Sequence, residues 1–84
     1  MTEIKSSLDW EPVKSDLLYK SVGLKHGRDV RRMIENISVK NTKLSKAEVA
    51  ARRGRSNLAA ELVTQINQDI EVVEGFLLVA ALLG

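Results

Sequence analysis

Cysteine is absent from the 84 residues, and histidine, tryptophan, tyrosine and phenylalanine occur once each. Without cysteine there is no disulfide framework and no thiolate metal site. A single imidazole, His26, cannot build a zinc site by itself, and no carboxylates cluster beside it; it reads as an exposed loop residue. No metal or cofactor is expected. Three aromatic side chains, Trp10, Tyr19 and Phe76, leave a core that must be mostly aliphatic. The longest apolar run, Phe76 to Leu83, falls far short of the roughly 20 residues that span a bilayer. The opening Met-Thr-Glu-Ile-Lys does not resemble a signal peptide. These absences point to a soluble cytoplasmic protein. No phosphate-cradling glycine loop, nucleophile elbow or paired carboxylate motif occurs, so an enzyme is not expected.

One sign of charge is also missing from the second part of the chain. All 13 Lys and Arg residues lie within positions 1–55. Residues 20–55 hold eleven bases against three acids, Asp29, Glu35 and Glu48. Beyond position 55 the only charges are Glu61, Asp69, Glu71 and Glu74. Such polarity points to a polyanionic partner, or to head-to-tail association.

What is present is helical periodicity over most of the length. The chain is long enough for one small domain, and its aliphatic content excludes disorder. The expected class is all-α, a small bundle of four to five short helices. Residues 1–8 read as a flexible arm and residues 9–84 as a single helical domain. Asp9 can cap a first helix, with Pro12 tolerated in its opening turn. Trp10, Val13, Leu17, Leu18 and Val22 form its apolar stripe, and Gly23 ends it, with Leu24 folding back towards Tyr19. A second helix fits 28–40, with Val30, Met33, Ile34 and Ile37 inward and Arg28, Arg31, Arg32 and Glu35 outward. Asn41 is its expected stop. Ser45 and Glu48 then have capping-box spacing, and Leu44 and Val49 the spacing of a hydrophobic staple, predicting a helix start at Lys46.

At Gly54 a break is favoured: a short helix 46–53, a turn at 54–56, and a long helix 57–73. The alternative is one helix from 46 to 73 with a glycine inside it. Leu58, Ala59, Leu62, Val63, Ile66, Ile70 and Val73 supply one apolar face in either case. Gly75 is expected to separate off a last helix, Phe76–Leu83, apolar all round. That segment is expected to be buried, either as bundle core or as an interface between two chains through Phe76, Leu78 and Leu82.

The residues Val49, Ala50, Gly54, Ala60 and Val63 resemble a helix-turn-helix DNA-binding motif over about positions 46–65. Arg53 and Arg55 depart from its pattern, standing where apolar residues are commoner. The resemblance implies that the helix opening at Ser56 enters the major groove, with Asn57, Glu61, Thr64 and Gln65 towards base edges and Arg55 at the entrance. Arg28, Arg31 and Arg32, with Lys40, Lys43, Lys46, Arg52 and Arg53, would supply phosphate contacts.

Two functions from different classes follow. The first is a small nucleic-acid-binding protein, a DNA-binding regulator or accessory factor that contacts duplex DNA through Arg28, Arg31, Arg32, Lys46, Arg52, Arg53, Arg55, Asn57 and Gln65. The second is a protein–protein interaction module, an inhibitor, adaptor or assembly subunit. Its basic face would dock on an acidic protein surface, or its apolar tail would pair two copies as a homodimer.

Overall fold

The apolar side chains at Val30, Ile34, Ile37 and Leu44 keep the alternating four- and three-residue spacing of one helix face straight through Asn41. In the computed structural model, which describes residues 3–54 and 56–83, that face is unbroken. Helix α2 runs Gly27–Ala51, and its buried side is Val30, Ile34, Ile37, Leu44 and Ala47. Three α-helices and one short 3-10 turn are the regular elements among the described residues. The turn is Ser7–Asp9, α1 is Trp10–Ser21 and α3 is Ser56–Leu83.

The bundle therefore has three helices, two of them long, in place of four to five short ones. Neither interior boundary expected in α2 exists. Asn41 does not stop the helix, because its position lies between Ile37 and Leu44 on the buried stripe, and Nδ2 donates to the Ser7 carbonyl. Ser45 is exposed in mid-helix, and Glu48 accepts hydrogen bonds from Ser7 instead of capping. Leu44 is fully buried while Val49 is 54% exposed, so no staple forms between them. Burial of a continuous stripe is worth about 1.5–3 kcal/mol per large aliphatic side chain, more than the ~1 kcal/mol of a cap. Gly75 likewise interrupts nothing. The buried side of α3, Ile66, Ile70, Val73 and Leu77, passes it on the opposite face.

The break at Gly54 is as expected. Gly54 has φ 102°, a left-handed conformation open to glycine at little steric cost, and its N–H donates to the Ala51 carbonyl at 2.9 Å. The chain reverses there, so that α2 and α3 lie side by side as an antiparallel hairpin, with Lys40 opposite Asp69. The molecule is correspondingly elongated, 48 × 17 × 16 Å.

Helix α1 covers the half of the hairpin away from this turn. Trp10 is buried and its Nε1 donates to Ser38 Oγ at 3.3 Å, fixing the start of α1 against the middle of α2. Gly23, at φ 82°, ends α1 as anticipated. Leu24 packs on the core, whereas Tyr19 and Val22 stay exposed, so the expected return of Leu24 onto Tyr19 does not occur. Gly27 then opens α2 so close to α1 that a Cβ there would stand 2.8 Å from the Ser21 carbonyl oxygen.

The segment before α1 is not a free arm from Ile4 onward. Ile4 is 1% exposed and belongs to the same cluster as Trp10, Ile34 and Ile66. Its N–H donates to Asn67 Oδ1 at 2.8 Å and its carbonyl accepts from Asn67 Nδ2 at 3.0 Å. Ser7 donates through N–H and Oγ to the two Glu48 oxygens, both at 2.8 Å. Asp9 Oδ2 accepts the Lys5 and Ser6 amides, which turns the chain into α1. Lying against both α2 and α3, the segment covers the hairpin where α1 stops.

Candidate nucleic-acid interface

An unbroken α2 changes which basic residues share a surface. With about 100° of rotation per residue, Arg28, Arg31, Arg32, Lys43 and Lys46 fall on the side of α2 opposite Val30, Ile34, Ile37 and Leu44. All five are exposed, and the exposed Arg52 and Arg53 extend the row into the turn. None of the seven forms an ion pair with a described residue. Arg31 Nε donates to the Gly27 carbonyl at 3.4 Å, a long bond. Arg28, Arg31, Arg32 and Glu35 line a shallow depression of about 360 Å³. Glu35 is the one acid within the row. The first-turn acid, Asp29, is off this row and lies 3.9 Å from exposed His26.

Lys40 does not join this row. It faces α3 and pairs with Asp69. The expected surface is thus divided: Arg28, Arg31 and Arg32 gather at one end of α2, and Arg52 and Arg53 at the other. At 1.5 Å per residue the two groups stand about 33 Å apart, with Lys43 and Lys46 between them.

The helix-turn-helix geometry is not what this hairpin forms. That motif joins its helices at about 90–120°, whereas α2 and α3 run alongside one another from the turn to the far end. Val49, a core position in the motif, is half exposed, and Ala60 is exposed. Asn57 and Thr64 are exposed on α3, and Gln65 is half-buried two turns below Asn57. They do not belong to the solvent face of α2. Arg55 lies outside the described residues.

The residues read as an interface separate in a similar way. Phe76 is partly buried against the core. Leu78 and Leu82 are 64% and 79% exposed. Val72, Val79 and Leu83 are exposed with them and were not singled out by sequence reasoning. The signal for them was present, because once α3 is continuous the spacing alone places Val72, Val79 and Leu82 on its outer face.

Among the described residues no three His, Asp or Glu side chains gather to hold a metal ion, and no helix is long and apolar enough to cross a membrane. Comparison with known proteins finds no matching family model, no matching curated protein and no matching solved structure.

Proposed function

We propose that the protein binds duplex DNA through the solvent face of α2, in a largely sequence-independent manner. The observation that carries this reading is the row Arg28, Arg31, Arg32, Lys43 and Lys46, exposed along one face of a single helix and continued by Arg52 and Arg53. Lysine and arginine that meet phosphates displace condensed counterions, and this supplies affinity without reading bases. The spacing favours a duplex over a compact polyanion. The end groups are about 33 Å apart, close to the ~34 Å after which B-form DNA presents the same face again. Base reading through Asn57 and Gln65 has no support in the geometry, since neither lies on the basic face. The role is that of an accessory factor that coats or bridges DNA rather than one that selects an operator.

The test is titration of a random-sequence duplex with the full chain over a series of salt concentrations. Five to seven phosphate contacts predict a slope of log K against log salt of about −4.5 to −6.3. Changing Arg28, Arg31 and Arg32 together to Ala is expected to flatten that slope by about 2–3, with folding intact by circular dichroism. Undetectable binding at low salt, or a slope unmoved by the triple substitution, overturns the reading.

A further inference from the structure

Gly75 stands in the interior of a 28-residue helix, where glycine is the least favourable residue other than proline. Nothing among the described residues accounts for it. Its backbone is not left-handed, and a Cβ built there meets no atom within 4 Å. It sits on the outer face of α3, flanked along that face by Val72, Val79 and Leu82. The four positions are spaced three, four and three residues apart, which is the repeat of a coiled-coil seam. Val72 is 61% exposed and Val79 54%, so the seam has no partner in the described residues. Leu78 and Leu83 flank it and are exposed as well.

We propose that α3 pairs with α3 of a second copy of this chain, antiparallel and centred on Leu77, with the partner's Val79 seated against Gly75. In this register residue i faces residue 154 − i, so Val72 meets the partner's Leu82 and Gly75 meets the partner's Val79. Each bulky side chain fills the space that the facing glycine leaves open. A parallel pairing would set Gly75 against the partner's Gly75 and leave a void there. It would also bring Glu71 against the partner's Glu71 with no base on the helix to offset them. Antiparallel pairing moves those two carboxylates about 18 Å apart along the axis, beyond the ~8–10 Å over which exposed charges interact at physiological salt. It also brings Glu71 level with the partner's Lys25, which lies outside the basic row.

The exposed apolar surface suits a weak, concentration-dependent pairing with a second copy. Val72, Leu78, Val79, Leu82 and Leu83 expose on the order of 600 Å² per chain, against about 800 Å² per partner in a standard interface. The surface shares no residue with the basic face of α2, so this inference stands or falls independently of DNA binding.

The absence of cysteine allows a direct test with the full chain. Gly75→Cys and Val79→Cys variants are prepared separately, then mixed under mild oxidation. The expected result is a heterodisulfide in the mixture and little crosslinking of either variant alone. Sedimentation over a hundredfold concentration range is expected to show a monomer–dimer equilibrium for the parent chain. Val79→Glu is expected to abolish the dimer, and Gly75→Leu to weaken it tenfold or more, both with helicity retained. Gly75→Ala, which suits an isolated helix better, is expected to raise the melting point of the monomer while weakening the dimer. A parent chain that remains monomeric throughout, or preferential crosslinking of Val79→Cys with itself, overturns the proposal.

Discussion

Asn67 holds Ile4 by both of its backbone groups, accepting from its N–H at 2.8 Å and donating to its carbonyl at 3.0 Å. A side-chain amide thus gives a segment outside any helix the two partners that a neighbouring backbone would have supplied. The carboxamide also fixes the depth at which the Ile4 side chain enters the core. Removing it with Asn67→Ala is expected to cost about 2–3 kcal/mol, two hydrogen bonds plus the stranding of partly buried groups. The midpoint of urea denaturation reports this. A shift no larger than that of exposed Gln68→Ala would contradict the clamp.

Glu48 offers a contrast with Ser45. Its carboxylate receives two charge-assisted bonds from Ser7, whereas Ser45 is exposed in mid-helix. Glu48→Ala is expected to destabilise by about 1.5–3 kcal/mol and Ser45→Ala to stay within about 0.5 kcal/mol of the parent. Thermal melts of the two variants decide the matter. Equal losses would restore a capping box to this stretch.

Two glycines are required for different reasons. Ala at Gly54 must adopt a positive φ, at a cost above about 1 kcal/mol. Ala at Gly27 meets the Ser21 carbonyl oxygen at 2.8 Å, and a backbone oxygen cannot swing aside as a side chain can. Overpacking of this kind costs about 1–3 kcal/mol. For a chain of this size each kcal/mol lowers the melting temperature by about 4–8 °C. A Gly27→Ala melt unchanged within error would show that α1 and α2 can separate there without loss.

Lys40 sits beside the basic face but is neutralised by Asp69. Asp69→Asn removes that carboxylate and leaves one more unpaired cation near Lys43. Duplex affinity is expected to rise at low salt, with the salt slope steeper by up to about 0.9. Lys40→Ala is expected to change the slope little, and stability by less than about 1 kcal/mol, because the pair is about one-third exposed. Salt titrations of both variants, run beside the parent, check this. A larger loss from Lys40→Ala than from Lys43→Ala would place Lys40 on the binding face after all.

The parts of the fold legible from sequence are those fixed by backbone chemistry within a few residues. Gly23 and Gly54 mark turns because positive φ is a local requirement, and Trp10, Val13 and Leu17 mark the inner face of α1 by spacing alone. Asn41, Ser45 and Glu48 misled because their cap chemistry is equally local, while what overrides it is the packing of Leu44 and Ala47 on a distant helix. Ile4 was missed for a different reason: a single isoleucine among polar residues has no period to reveal it, and its partner is 63 residues away. The basic character of Arg28, Arg31 and Arg32 could be read directly. That Lys43 and Lys46 share their face could not, because it depends on α2 being unbroken between them.

The contact between Ile4 and Asn67 also bears on the order in which the molecule assembles. Helices α2 and α3 meet across a short turn, so each contact between them closes only a small additional loop. Seating Ile4 closes 63 residues at once, and the entropy lost on closure grows with the logarithm of that number. The hairpin is therefore expected to zip from Gly54 outward, with the N-terminal segment closing over it last. Run in reverse, this makes the segment the first part of the native state to open. Its amides should exchange with solvent through a local, low-energy event, while those of Ile34 and Ile66 wait for global unfolding.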